Sequence, residues 1–536
     1  MASAPDCDVV VVGAGFGGLY AVRRFVAVGL TVQAFEAGDD VGGVWYWNRY
    51  PGARCDCESF YYSYSFSEEL QQDWNWSLRY SEQPEILTYL NHVADRFDLR
   101  RHYRFATAVT GARFDEAAAL WRVQTAAGDT VTARFLVTAM GCLSKVNWPE
   151  IPGVRDFAGR LFHTAQWPHE GVDFTGRRVG VIGTGASAVQ AIPRIAAQAA
   201  QLTVFQRTAN WVLPAWNRAT DPEFDAWVKA NYGDIRTRCL NSGGAVPFDP
   251  PQQATADVSA AELEARFQSL WDLGGMRFFT AFTDLFTSEA ANAAAQAFVR
   301  RKILETVHDP ETARRLIPND HPIGVKRPPL DDDYYATFNR PSVRLVDVRT
   351  APIQAVDGAV VRTTEADYEL DDLVVATGFD AITGALTALD LRGRGGLRLN
   401  DVWQSGPKTY LGLGVAGFPN LFTVTGPLSP SVLANMPTAV EQHVDWIADC
   451  IAALRRQGVA TIEPVDAAQD AWSAHAAEVV QGTLYPKSNS WYFGSNIPGK
   501  PRAFGVYVGG FASYRERCDA VAQAGYEGFR LDAGPN

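Results

Sequence analysis

Residues 8–12 (DVVVV) form a short unbroken apolar run rich in β-branched side chains, the pattern of a strand buried on both faces. GAGFGGLYAVRRF follows and opens into helical periodicity, and LTVQAFEA then reads as a second strand ending at Glu36. The same rhythm of strand, glycine turn, helix and strand returns in RRVGVIGTGASAVQAIPRI and LTVFQRTAN. Between the two copies, residues 60–100 carry mostly helical, polar patterns, and residues 103–137 alternate as short strands up to ARFLVTAMG. Residues 214–322 break the rhythm. SAAELEARFQSLWDLGG and SEAANAAAQAFVRRKILETV have helical spacing and no strand signal. Strand patterns resume at 342–348 (SVRLVDV) and 370–381 (LDDLVVATGFDA), before a long amphipathic helix, AVEQHVDWIADCIAAL. The pattern predicts an α/β protein with two Rossmann-like dinucleotide-binding domains. Residues 1–145 and 380–536 would form the first, residues 146–213 and 325–379 the second, with 214–324 a helical insertion in the second.

The turns carry the chemistry. Gly13, Gly15 and Gly18 stand in GxGxxG register, allowing a tight turn, close approach to a pyrophosphate and close helix–strand packing. Glu36 falls where an acid binds a ribose 2′-hydroxyl, which suits the adenosine half of FAD or NAD. In the second turn Gly183, Gly185 and Ala188 read GxGxxA, and the next strand ends at Gln206-Arg207-Thr208 with no acid. An arginine there favours a 2′-phosphate, so the pair of turns implies FAD plus NADPH. Residues 38–58 (GDDVGGVWYWNRYPGARCDCE) are too irregular for one element and read either as a packed connection or as a lining of the flavin, with Trp45 and the Arg54–Asp56 corner beside it.

Composition narrows the class. The 536 residues are 47% hydrophobic and 20% charged, as in an ordinary globular protein. A net charge of −12 argues against nucleic acid as a partner. No apolar run approaches a membrane span, and MASAPDCD leaves no room for a signal peptide. Seven scattered cysteines form no disulfide framework and point to the cytoplasm, and no metal site is expected. Cys55 and Cys57 read as small buried residues beside a functional loop. Without a CxxC pair, electrons from NADPH must leave a flavin toward a protein, a quinone or dioxygen.

One further stretch, FAGRLFHTAQWP, holds Phe157, Gly159, His163, Trp167 and Pro168 at the spacing FxGxxxHxxxWP, between the two nucleotide motifs. This spacing resembles the fingerprint of type I Baeyer–Villiger monooxygenases. The resemblance runs over essentially the whole chain through GGVWYWNRYPGARCD, GTGASA, VKRP, VVATGFD and SWYFGSNIPGKP, and is nearest the phenylacetone and steroid monooxygenase branch. It implies conversion of a ketone to an ester or lactone with dioxygen through a peroxyflavin. It also implies that Arg327 is the active-site cation and Asp56 its carboxylate partner, and that Lys326 joins Arg207 and Thr208 on the NADP 2′-phosphate. Gly43, Val44, Trp45, Tyr62, Met140 and Met436 would lie on the flavin side, and Trp491 would close over NADP. By itself the Lys326-Arg327 dipeptide reads as a surface pair, and Trp491 as an ordinary core aromatic. His163 reads as a proton donor or, given its position in a linker between the domains, as part of a hinge. Two rivals remain: an oxygenase of sulfur or nitrogen, and a redox sensor binding the same cofactors.

Overall fold

The structure, a computed structural model, describes residues 4–533. The first apolar run is β1 (Cys7–Val12), and its alternate side chains enter two different cores. Val9 and Val11 pack with Leu19, Val22 and Phe25 of the helix Phe16–Ala27, while Val10 and Val12 pack with Trp121 and Val123 on the opposite face. A strand with both faces covered needs an apolar residue at every position, which is why β1 does not alternate. Parallel partners lie on each side: β2 (Val32–Phe35), which leads to β3 (Tyr103–Arg104), and β6 (Thr130–Thr138). Beyond β6 the sheet turns antiparallel through β5 (Leu120–Thr125) and β4 (Val109–Asp115). Segments from the second half of the chain complete it: Asp390–Arg392 pairs with β4, and Leu421–Thr423 with the end of β6.

The second sheet is parallel throughout. Its order is β10 (Val343–Asp347), β9 (Gln201–Gln206), β8 (Arg178–Ile182), β11 (Asp372–Val375) and β7 (Arg160–His163). The two glycine turns are built alike. Gly13 has φ +110° and a Cβ there would stand 2.5 Å from the Ala139 carbonyl; Gly183 has φ +116° and its Cβ would stand 2.5 Å from the Ala376 carbonyl. In each sheet, therefore, the strand ending in TAMG or ATG presses its last backbone against the phosphate turn, and only glycine fits.

Residues 207–342 contain helices and no strand beyond single bridges such as Leu213 with Leu330. They do not all pack on the second sheet. Val228, Tyr232, Ile235 and Cys239 join the first core, whereas Phe267, Phe278, Phe298 and Ile303 join the second. The helical stretch therefore spans both cores rather than belonging to one.

The FxGxxxHxxxWP stretch is not a free linker. Residues 160–163 form the edge strand β7, with His163 level with Val375. Four residues on a sheet edge give little periodicity to read. Phe157 and Trp167 are buried, and a Cβ at Gly159 would stand 2.3 Å from the Asp371 carbonyl. The chain crosses between the sheets twice, at 141–148 and at 376–382, and these crossings pair: Val146 bridges Phe379, and the Asp380 N–H donates to the Lys145 carbonyl at 2.8 Å. His163 sits at their base. Its Nδ1 accepts from the Ala165 N–H (3.1 Å), so Nε2 carries the proton and faces the Asn147 carbonyl (3.3 Å), which also accepts from the Thr377 hydroxyl (2.6 Å).

Burial, reinforced by the Arg155 charge and only partly opposed by the Asn147 hydrogen bond, brings the His163 imidazole down to about 4 from its ordinary 6.5. It is therefore neutral at working pH, with its one proton on Nε2 held toward the Asn147 carbonyl. Between these values the unfolded chain binds a proton that the folded chain refuses, so stability falls as pH drops through this window and is complete above it. The loss is on the order of 3 kcal/mol at most. Melting curves between pH 4.5 and 8 are expected to show a smaller acid-side loss for His163→Gln than for the wild type; parallel losses would mean that His163 is not held neutral by the fold.

Candidate active site

Two segments far apart in sequence meet at the centre of the molecule. Residues 53–55 run beside 81–83, with the Cys55 N–H on the Ser81 carbonyl (3.2 Å) and the Gln83 N–H on the Ala53 carbonyl (2.8 Å). Opposite them lies Lys326-Arg327-Pro328-Pro329-Leu330. A residue before proline is held extended, so the two prolines keep this segment straight as it delivers Arg327.

Arg327 grips Asp56 with a two-pronged contact: Nη2 to Oδ1 at 2.8 Å, and Nε to Oδ2. Its remaining nitrogen, Nη1, donates to the Val432 carbonyl at 2.6 Å. Burial works against the guanidinium charge, but the Asp56 carboxylate outweighs it and holds the Arg327 pKa well above the ordinary value. The result is a permanent cation of fixed orientation. Two residues before Asp56, Arg54 makes a second ion pair with Asp331, four residues after Arg327, and donates to the Leu330 carbonyl at 3.2 Å. These side chains are only 6% and 5% exposed, so Arg54 is a structural clasp rather than a group free to face a cofactor. The two pairs cross: each segment supplies one cation and one anion.

Val432, Tyr485 and Tyr492 lie near Arg327 and belong to an apolar cluster with Val325 and Phe493, which has Met436 and Trp491 at its edge. Tyr485 and Tyr492 gave no signal in the sequence, being two aromatics in an aromatic-rich tail. Trp491 lies against Tyr492, ring centroids 4.2 Å apart, and borders a cavity of about 280 Å³ shared with Trp403 and Lys500. Trp45 is buried and its indole N–H donates to the Tyr62 hydroxyl at 3.2 Å. Gly43 approaches the first phosphate turn, a Cβ there standing 2.7 Å from the Gly15 Cα, while Val44 is exposed and Met140 half-buried.

Both phosphate turns fit nucleotides. The helices Phe16–Ala27 and Ala186–Ala196 start at Gly15 and Gly185 with no side-chain cap, leaving their first N–H groups for an anion. Nothing lies within 4 Å of a Cβ placed at Gly185. Ala188 is fully buried against the second core. Glu36 takes the Ala14 and Gly38 N–H groups, one on each oxygen at 2.8 Å, which fixes its carboxylate just past β2, beside the first turn. At the second turn, Thr208 is tied through its carbonyl to the Thr184 hydroxyl at 2.7 Å. Arg207 is exposed with no acidic partner among the described residues. Lys326 feels its charge: burial, and the positive charges of Arg207 and Arg349 against the pull of Asp320, lower the Lys326 pKa. Such crowded cations fit a dianionic phosphate. Arg349 is the member missed in the sequence; it stands just past β10, whose Asp347 is level with Gln206 of β9, a neighbour visible only once the sheet is assembled.

Residues 6–230 match the family profile described as flavin-binding monooxygenase-like. Over 525 residues the chain is 45% identical to a Baeyer–Villiger monooxygenase of Pseudooceanicola batsensis, covering 97% of this chain and 95% of that protein. The chain belongs to the Baeyer–Villiger monooxygenase family. It is also 43% identical to a cyclohexanone 1,2-monooxygenase of Acinetobacter sp, over 99% of this chain and 98% of the other. Among solved structures, an oxidized steroid monooxygenase bound to NADP superposes with a TM-score of 0.95 at 53% identity, covering 98% of this chain and all of that one.

A flavoprotein monooxygenase of this family draws on FAD and NADP, and the two turns described above are where this chain's residues suit them. Replacing Arg207 by Ala removes a charged donor worth about 1.5–3 kcal/mol to a phosphate. The ratio of kcat/KM for NADPH over NADH is expected to fall by roughly 10- to 100-fold; an unchanged ratio would take Arg207 out of the site.

Proposed function

We propose that this monooxygenase acts on a ketone and that Arg327, positioned by Asp56, is the residue that supports oxygen insertion. The carrying observation is the two-pronged Arg327–Asp56 contact with Val432 on the third nitrogen, which leaves a fixed cation in a mostly apolar surround. Bound reduced flavin supplies activation of dioxygen, and NADPH supplies the electrons. The chain's own part is electrostatic. As a nucleophilic oxygen adds to the ketone carbonyl, negative charge gathers on the former carbonyl oxygen, and a preorganised guanidinium lowers the energy of that arrangement. Asp56 keeps the guanidinium from turning toward other anions.

In this reading residues 1–145 and 380–536 hold FAD, and residues 146–213 and 325–379 hold NADPH, with Arg207, Thr208 and Lys326 on the 2′-phosphate. Trp45, Tyr62, Met140 and Met436 line the flavin side, and Trp491 covers the nicotinamide nucleotide. His163 acts as a pin between the two crossing strands. Its neutral, doubly hydrogen-bonded ring supports control of how the sheets sit together over a role in proton transfer. Seven free, buried cysteines suit a reducing cytoplasm. Among the described residues no helix is long and apolar enough to cross a membrane.

The purified protein incubated with NADPH, dioxygen and a panel of cyclic, aryl and steroid ketones is expected to yield lactones or esters heavier by one oxygen. Sulfides and aromatic amines in the same panel test the heteroatom reading, which needs no Arg327. Arg327→Ala is expected to keep NADPH-driven flavin reduction within a few-fold while ester formation drops by at least about 100-fold. Ester formation at the wild-type rate in that variant would overturn the assignment.

A further inference from the structure

Cys55 and Cys57 flank Asp56, and their sulfurs and a carboxylate oxygen of Asp56 all lie within 4.8 Å of one another. The Cys57 N–H donates to Cys55 Sγ at 3.3 Å, and Cys57 Sγ lies 3.8 Å from Arg327 Nη2 and 3.9 Å from Asp56 Oδ1. Asp56 is fully engaged by Arg327, so this trio has no carboxylate to spare for a metal ion. Its two thiols are instead placed on either side of the residue that orients the active-site cation. Two-electron reduction of dioxygen without insertion gives hydrogen peroxide, and any that reaches Arg327 meets Cys57, 3.8 Å from its guanidinium.

We propose that Cys55 and Cys57 form a peroxide-sensitive switch, in which oxidation of Cys57 is captured by Cys55 as a disulfide that draws Asp56 off Arg327. This rests on the monooxygenase reading above for the source of peroxide, but not for the thiol chemistry. In the first step the Cys57 sulfur attacks hydrogen peroxide: an S–O bond forms, the O–O bond breaks, and water leaves as the sulfur is oxidised by two electrons to a sulfenic acid. In the second step the Cys55 sulfur attacks the Cys57 sulfur: the S–S bond forms, the S–O bond breaks, and the hydroxyl leaves as water with the Cys55 proton. Burial, together with Cys57 and the Asp56 charge, holds the Cys55 thiol well above its usual pKa. Cys55 is therefore the less reactive of the two toward peroxide, and Cys57, 3.8 Å from the Arg327 guanidinium, is the one placed to be oxidised first. Closing the sulfurs to a bond of about 2 Å turns the intervening residue, so the two-pronged contact with Arg327 cannot survive.

The test uses the wild-type holoenzyme and hydrogen peroxide as the probe, without NADPH or ketone. Free thiols are then alkylated, and the tryptic peptide Cys55–Arg79, which contains only these two cysteines, is weighed. The expected result is a peptide lighter by two hydrogens with neither cysteine alkylated, formed in step with loss of NADPH-dependent activity. Dithiothreitol should restore both alkylation sites and the activity. In Cys55→Ser, the sulfenic acid on Cys57 should persist and be trapped by dimedone. Two alkylated cysteines after activity is lost, a Cys57 that gains two oxygens without pairing, or no dimedone adduct would each overturn the proposal. Since the readout is the mass of the peptide, a protein that forms the disulfide yet oxygenates no ketone refutes only the function, and the reverse refutes only the switch.

Discussion

A guanidinium taken out of water needs an anion held against it, and this requirement organises the centre of the molecule. Arg327 is met by Asp56 from a segment some 270 residues earlier, and the same two segments exchange a second, deeper pair between Arg54 and Asp331. One pair alone leaves a segment free to pivot about it. Two crossed pairs, a few residues apart on each strand of backbone, fix both position and rotation. Pro328 and Pro329 stiffen one side, and the hydrogen bonds of residues 53–55 to residues 81–83 stiffen the other. The Arg327–Asp56 pair can then stay partly open, with 28% of the Arg327 side chain exposed, because the deeper Arg54–Asp331 pair, 6% and 5% exposed, holds the segments in place.

The nucleotide turns solve a different problem with one device used twice. In each sheet a carbonyl at the end of a returning strand closes on the first glycine of the turn, and an uncapped helix points its N–H groups at the phosphates. The ribose ends then diverge, with an acid at Glu36 and a cluster of cations around Arg207. The two crossings between the sheets are hydrogen-bonded to each other and to His163. A change in the relation of the sheets therefore flexes this short ribbon, which lies beside the edge strand carrying the fingerprint.

Much of this was legible in the chain. The unbroken DVVVV run marks the first sheet and the two glycine spacings mark the turn of each, because each is a local signal enforced by backbone geometry. Arg327 and Asp56 were legible only through family resemblance, since nothing local marks a pairing across 270 residues. The pairing of Arg54 with Asp331, where the sequence reading set Arg54 beside the flavin, and the third cation, Arg349, were not legible for the same reason: each depends on which segments become neighbours. The edge strand 160–163 was too short to show a period. The split of the helical stretch between two cores was hidden because helical spacing reports an apolar face and not what covers it.

In the proposed function Asp56 serves catalysis only by positioning Arg327. A double-mutant cycle of Asp56→Ala and Arg327→Ala, read on the rate of ester formation from a ketone the wild type accepts, tests this most directly. Each single variant is expected to lose most of the rate, and the double variant to be no slower than Arg327→Ala. Losses that multiply would show that Asp56 acts on substrate or cofactor by itself, and would contradict the account.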